Sequence, residues 1–173
     1  SDSLVKNIKF LNVKSDALDI DSGSSKIDNL KCENIGNDCL DFSNAKILAN
    51  NIFTNNVGDK SMSVGENSNV EVNNLNINNS EIGMAIKDNS IAKINLANIK
   101  NSKLPIAVFV KKNEYGPAEL IVNNLNLSNS SNIYLVDKIS KLVIEGVNYV
   151  GSLTGEVIES SLYGNKYGKA TIR

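Results

Sequence analysis

The amino-acid sequence predicts an all-β protein, a single-stranded right-handed parallel β-helix of about seven coils. Three observations lead to this fold. A pattern of apolar residues repeats at steps of 22 or 23 residues. Within each repeat, apolar and polar residues alternate as they do along a β-strand. The segments between the repeats lack the apolar spacing of a helix, so stacked coils that share one interior are the economical arrangement.

Equivalent positions in the repeats form columns. The first column is apolar throughout, and the second, two residues later, is mostly asparagine. Stacked asparagine side chains can hydrogen-bond to one another from coil to coil, so the second column predicts an asparagine ladder. The step from one member of a column to the next lengthens to 28 residues only between the fifth and sixth repeats. The first column is Val5, Ile27, Ala49, Val72, Ile94, Val122 and Ile144, and the second is Asn7, Asn29, Asn51, Asn74, Leu96, Asn124 and Gly146.

A second strand is predicted between consecutive repeats. It is recognised by pairs of apolar residues that are two positions apart and therefore point the same way, into the interior. The residues between and beside them must face outward. The predicted inward pairs are Leu18 and Ile20, Leu40 and Phe42, Met62 and Val64, Met84 and Ile86, and Val108 and Val110.

The pattern divides the chain into two parts. Residues 1–150 hold the coils, with an insertion near residues 111–119 that contains the turn formers Gly116 and Pro117. Residues 151–173 depart from the register and are predicted to be an irregular or capping segment. Solenoids need such ends because an open terminal coil has unpaired strand edges.

Composition limits the partners. The chain has 18 basic and 19 acidic residues and a formal net charge of −1, so nucleic acid is not an expected partner. No apolar stretch has the length of a membrane span. Cys32 and Cys39, the only cysteines, are predicted to face opposite ways, one inward and one outward, so a disulfide between them is not expected.

The outward positions around the second strand form a polar stripe along the stack. Acidic residues dominate its first coils and lysines its later ones. Carboxylates on neighbouring coils lie close enough to raise each other's pKa, as a general acid requires, although aspartate is also common at turns for local hydrogen bonding. The predicted columns of the stripe are Asp16, Asp38 and Lys60; Asp19, Asp41 and Ser63; and Asp21, Ser43, Gly65, Lys87 and Lys111.

Calcium is a second interpretation of the acidic part of the stripe. Hard cations bind several oxygen ligands, and Asp16, Asp19, Asp38 and Asp41 would supply them, although no loop of the EF-hand type is present. No other cofactor is required by the sequence.

Four short motifs follow one another in successive coils along this stripe. They are Ser15-Asp16-Ala17, Gly36-Asn37-Asp38-Cys39, Lys60-Ser61-Met62-Ser63-Val64-Gly65 and Gly83-Met84-Ala85-Ile86-Lys87. Their order and coil spacing resemble the NTDG, GDDC, GHG with S-[IV]-G, and RIK motifs of the polygalacturonase family, which are right-handed parallel β-helices of the pectin lyase-like superfamily. The resemblance covers residues 15–87.

The resemblance implies roles for matching residues. Asp38 takes the place of the general acid, Asp16 that of a second acidic residue, and Lys87 that of a substrate-binding lysine. Asn37, Lys60 and Ala85 stand where the family has Asp, His and Arg. The candidate catalytic residues are Asp16, Asp38 and Lys60, and the candidate substrate-binding residues are Asp19, Asp41, Lys87 and Lys111.

Two functions follow as expectations. The first is a carbohydrate-binding or carbohydrate-processing module of a larger polysaccharide-associated protein, with an oligosaccharide and the parent protein's other domains as partners. If it were an enzyme, it would be a polysaccharide hydrolase or lyase. The second is a structural spacer or assembly module, because the repeats are also similar in style to β-helix modules of bacterial surface proteins. Both favour an extracellular or cell-surface location.

Overall fold

The computed structural model describes residues 2–164 and 167, which form a parallel β-solenoid of about six turns followed by one helix. The predicted all-β fold is thus confirmed. The elements in chain order are β1 (Asp2–Val13), β2 (Leu18–Ile20), β3 (Gly23–Ile35), β4 (Leu40–Ser43), β5 (Ala45–Gly65), β6 (Asn69–Lys87), β7 (Ile91–Phe109), β8 (Glu119–Ser128), β9 (Tyr134–Val136), β10 (Lys141–Ile144), β11 (Val147–Tyr149) and α1 (Gly155–Leu162).

The coils stack in the register that the sequence predicts. Val5 pairs with Ile27, Ile27 with Ala49, and Ala49 with Val72, and the column continues to Ile144. Because side chains alternate along each strand, this column and its neighbours point into one continuous apolar interior, while the residues between them face outward. The interior is filled mainly by Ile, Leu and Val from all six turns.

The seventh repeat begins a coil and then reverses. Residues 141–144 pair in parallel with residues 119–122, but β11 then folds back antiparallel on β10. Glu145 and Gly146 form the two-residue turn, and both have positive φ, of 52° and 79°. This is the conformation that a tight hairpin needs, so the stack has about six turns rather than the seven predicted.

The register of the fifth coil differs from the prediction in its second strand. Met84 pairs with Ile106 and Ile86 with Val108, so the inward pair is Ile106 and Val108, not Val108 and Val110. The additional residues of the long repeat all lie after Phe109, in a loop between β7 and β8. The prediction distributed two of them before that point, which shifted the register by two.

The asparagine ladder is confirmed through the first four coils. Asn29 donates to Asn7 at 3.0 Å, Asn51 to Asn29 at 2.9 Å, and Asn74 to Asn51 at 3.0 Å. The fifth coil has Leu96 at this position, which cannot continue the ladder.

A further asparagine column, missed from the sequence, occupies a corner of every turn. All its members have φ between 49° and 58°, the left-handed region that asparagine tolerates better than most residues. Asn34 donates to Asn12 at 2.9 Å and Asn56 donates to Asn34 at 2.8 Å. The column is Asn12, Asn34, Asn56, Asn79, Asn101 and Asn129.

The two cysteines form a disulfide, which corrects the prediction that they face opposite ways. Cys32 and Cys39 are both buried, and their Cα atoms are 6.1 Å apart. Cys39 lies in the bend between β3 and β4, directly before β4. The strict alternation of a strand does not apply there, so its side chain points inward.

Helix α1 begins after Thr154, whose hydroxyl oxygen accepts a hydrogen bond from the Val157 N–H at 3.4 Å. A Cβ on Gly155 would lie 1.9 Å from the Val110 carbonyl oxygen, so only glycine allows this approach of the helix to the coils. The helix has eight residues, too few to cross a membrane, and the described part of the chain contains no longer apolar helix that would do so.

Substitution of Asn34 tests the corner column. We expect Asn34→Ala to lower the free energy of unfolding by about 1 kcal/mol more than Asn50→Ala, because alanine at positive φ is strained. Asn50 is the matched control: it is exposed, donates to Asp28 at 3.3 Å and accepts from Asn73 at 2.9 Å, but lies outside the positive-φ set. Urea denaturation measures the difference, and Asn34→Gly should be more stable than Asn34→Ala. Equal losses for the two alanine variants would contradict this account.

Reduction of the disulfide should lower the free energy of unfolding by about 2 kcal/mol, because the bond restricts the unfolded chain. Urea midpoints with and without reductant measure the effect, and a variant with alanine at both Cys32 and Cys39 should be insensitive to reductant. Thiol titration of the oxidised protein in denaturant should find no free cysteine; two free thiols per chain would disprove the bond.

Candidate functional site

The predicted stripe exists over the first three coils. Asp38 and Asp16 occupy one column, in which the Asp38 N–H donates to Asp16 Oδ1 at 2.9 Å and the Lys60 N–H donates to Asp38 Oδ1 at 2.9 Å. Asp19 pairs with Asp41, and Asp41 with Ser63, in the second column. These two columns are therefore confirmed.

The third column is confirmed only in part. Ser43 pairs with Gly65, but Lys87 pairs with Phe109 rather than standing in line with Lys111. Lys111 belongs to the loop after β7, where its N–H donates to Asp88 Oδ1 at 2.7 Å. The cause is the same two-residue error in the register that was predicted for the fifth coil.

Asp16 and Asp38 do not repel each other as bare carboxylates. Asp16 Oδ1 accepts hydrogen bonds from the Asn37 side chain at 2.7 Å and from the Asp38 backbone at 2.9 Å. Each aspartate thus binds the backbone of the next coil, which offsets the cost of placing two acidic residues one coil apart.

Asp38, Asp59 and Lys60 form a buried charged cluster, and none of the three is more than 5% exposed. Lys60 Nζ lies 2.6 Å from Asp59 Oδ2 and 3.5 Å from Asp38 Oδ1. The Tyr163 ring lies over the cluster, with its centroid 4.9 Å from Lys60 Nζ and 4.5 Å from Lys111 Nζ. Asp59 Oδ1 is buried and has no hydrogen-bond partner among the described residues.

The cluster is electrically balanced when Asp38 is protonated. Burial raises the pKa of Asp38 to about 7, because the attraction of Lys60 compensates only partly and Asp59 opposes ionisation. Burial alone would lower the pKa of Lys60, but Asp38, Tyr163 and Asp59 outweigh it and raise that pKa. One cation and one anion then remain out of water, which is the least costly arrangement of these three groups.

Helix α1 covers the stripe from the fourth coil onward. Ile158 and Leu162 are fully buried and pack in an apolar cluster that is separate from the interior of the coils. Ala85 and Ala107, between the inward residues of β6 and β7, belong to this cluster and so lie on the outer side of the wall. The remaining buried members are Ile82, Leu104, Phe109 and Tyr167.

The other predicted binding residues do not line one open cleft. Lys87 is buried and donates to the Ser63 hydroxyl at 2.9 Å. Asp41 is half-buried, and Asp19 is exposed, with its pKa raised by partial desolvation and by the nearby charges of Asp21, Asp41 and Asp16. Within residues 2–164 and 167, no group of three or more acidic, histidine or cysteine side chains is placed to hold a metal ion. The binding of calcium by Asp16, Asp19, Asp38 and Asp41 stays a prediction.

An open groove lies on a different face, along β1, β3, β5, β6, β7 and β8. It has a volume of about 640 Å³ and is lined by two outward rows of side chains that run from coil to coil. We call it the asparagine groove. Its outward lining residues are Lys9, Lys31, Phe53, Asn76, Asn98 and Asn126 in one row and Glu33, Asn55, Asn78, Lys100 and Ser128 in the other.

The sequence contained a signal for this groove. Its rows are the outward positions on either side of the inward column Cys32, Thr54 and Ile77, and they follow from the same period of two. The predicted site residues all come from around the second strand of each coil, where the acidic motifs lie, so the sequence-based prediction did not include this groove. Nothing in the sequence places Tyr163 over Lys60.

Comparison with models of protein families, with curated proteins and with solved structures finds no match for this chain. The likeness to polygalacturonases therefore consists of motif order along the stripe alone.

Substitution of Ile158 tests whether α1 is a separable cover. Ile158→Ala should remove about 2–4 kcal/mol of packing from a fully buried site, whereas Val157→Ala, on the exposed side of the same helix at 48% exposure, should change little. Hydrogen exchange should quicken in the amides of α1 while the coil strands keep their protection. Exchange in α1 no faster than in the unsubstituted protein would contradict this prediction.

Proposed function

We propose that this chain is a carbohydrate-binding module whose ligand lies in the asparagine groove, along the axis of the coils. The observation that carries the proposal is the composition of that groove: amide side chains in register, an exposed aromatic ring and an excess of lysine. The order of polygalacturonase-type motifs on the stripe adds support for a saccharide ligand.

The amides are held in fixed positions with hydrogen-bonding capacity to spare. Asn98 donates to Asn76 at 2.9 Å, and Asn126 donates to Asn98 at 2.8 Å. Each ladder asparagine uses one N–H and one oxygen lone pair in this way, which leaves another donor and another acceptor for sugar hydroxyls. Coils repeat about every 4.8 Å, so an extended saccharide would meet a similar pair of groups at each coil.

Phe53 gives the groove an apolar platform. Its side chain is 40% exposed, and Lys31 Nζ lies 5.7 Å from the centroid of its ring. Aromatic rings are favourable contacts for the apolar face of a sugar because they add buried area at low entropic cost.

The charge of the groove favours an acidic saccharide. Of its three lysines, Lys9 is paired with Glu33 at 2.7 Å. Lys31 and Lys100 leave an excess of two positive charges, which would attract carboxylate groups of a uronic-acid polymer.

The stripe supports binding less well than the groove. Lys60 lies under the Tyr163 ring, Asp38 is buried beside it, and the neighbouring apolar row lies under α1. Asp38 and Lys60 are buried, so a saccharide could reach them only if the surrounding structure moved. Hydrolase or lyase activity at Asp16, Asp38 and Lys60 is therefore not part of the proposal.

Substitution of Phe53 tests the groove. Phe53→Ala should weaken binding of acidic oligosaccharides at least fivefold, since a central aromatic contact contributes about 1 kcal/mol or more. Leu48→Ala is the matched control, because Leu48 is equally exposed, at 41%, but lines another face. Titration calorimetry with acidic and neutral oligosaccharides measures both, and binding of the acidic ones should weaken with salt. Equal effects of the two substitutions would rule out this groove.

A structural spacer is the second candidate function. The continuous interior through six turns and the ladders along its corners support it, since both make a stiff rod. If neither class of oligosaccharide binds at millimolar concentration, the binding proposal fails and the spacer is favoured.

A further inference from the structure

We propose that Lys60 and Asp38 condense to an isopeptide bond that joins the second and third coils, with Asp59 as the proton acceptor. The proposal concerns the buried charged cluster and is independent of saccharide binding.

The three groups are placed as this reaction requires. Lys60 Nζ, the nucleophile, lies 3.5 Å from Asp38 Oδ1 and is therefore in contact with the carboxyl group whose carbon, Cγ, it would attack. Lys60 Nζ also contacts Asp59 Oδ2, at 2.6 Å, and Asp59 can therefore take a proton from it. The Lys60 backbone N–H donates to Asp38 Oδ1 at 2.9 Å and would stabilise the charge that develops on that oxygen.

Asp38 is the electrophile in preference to Asp59 for two reasons. Its pKa of about 7 gives it a substantial neutral fraction near neutral pH, and a carboxylic acid accepts a nucleophile more readily than a carboxylate does. Asp59 is the residue directly before Lys60, so a bond between those two would close a small ring and connect no coils. Asp38 lies 22 residues earlier, in the preceding coil.

The reaction balances within the cluster. The Lys60 ammonium, whose pKa is raised by the same neighbours, passes one proton to the Asp59 carboxylate in an uphill step, and the free amine attacks Cγ of the protonated Asp38. The Nζ–Cγ bond forms and the Cγ–OH bond breaks. The departing hydroxyl takes a second proton from the nitrogen and leaves as water, while the third proton stays on the amide. The ammonium, carboxylate and carboxylic acid become an amide, water and a neutral Asp59, with no oxidant or reductant required.

Burial supplies the driving force and protects the product. The cluster begins with one cation and one anion out of water, and condensation leaves no charge there, which removes their desolvation cost. The Tyr163 ring over Lys60 keeps bulk water from the bond once it has formed. Asp59 Oδ1 is buried and has no hydrogen-bond partner among the described residues, so it could accept a hydrogen bond from the released water.

Peptide mapping of the purified chain tests the proposal. After incubation at pH 7, reduction and alkylation, trypsin should leave Lys60 uncut and release residues 32–46 covalently joined to residues 47–87, at a mass one water below the sum of the two. Recovery of linear peptides 32–46, 47–60 and 61–87 from the folded protein would overturn it. Reduction beforehand ensures that the disulfide, which lies within residues 32–46, does not contribute to the mass difference.

Two variants assign the roles, with circular dichroism as the check that each is folded. Lys60→Gln should give no joined peptides. Asp59→Asn keeps both bonding partners but should slow the condensation at least a hundredfold, since proton transfer by a positioned group contributes about that factor. A joined product in Lys60→Gln would show that another amine forms the bond, and an unchanged rate in Asp59→Asn would refute the role of Asp59.

Discussion

The parallel backbone hydrogen bonding between successive coils is the constraint on which the structure depends. Once each residue pairs with the residue one repeat later, every side chain must stack on its equivalents above and below. A residue type that tolerates such stacking is then favoured at every level of its column. Apolar residues satisfy this in the interior, and asparagine satisfies it at the corners, because its amide is both donor and acceptor.

Aspartate meets the same constraint differently. A column of carboxylates cannot form a ladder of its own, because each group only accepts hydrogen bonds when ionised. In this chain, Asp16 and Asp38 accept from the backbone of the following coil, and the column ends in the cation of Lys60. The regular stacking of the coils thus also brings Asp38 and Lys60 together at a buried position, where the Tyr163 ring covers Lys60.

The two faces of the solenoid consequently offer different chemistry. The stripe carries short motifs in the same order as those of polygalacturonases, yet α1 and Tyr163 close much of it and leave the buried cluster of Asp38, Asp59 and Lys60 beneath. The asparagine groove carries no catalytic motif, but it is open, regular and positively charged. The proposed saccharide ligand and the proposed isopeptide bond therefore involve different residues of one molecule.

The sequence by itself determined the solenoid, its repeat and its columns, because period-two alternation and a fixed step are properties of the chain alone. It placed Val5, Asn7 and Asp16 correctly with their partners one coil later. It could not decide where strict alternation fails, so Cys39 was assigned the wrong face and the fifth coil the wrong register. Nor could it decide the hairpin at Glu145, the cover formed by α1 or the contact of Tyr163 with Lys60. These depend on which distant surfaces pack together, and only the tertiary structure settles that.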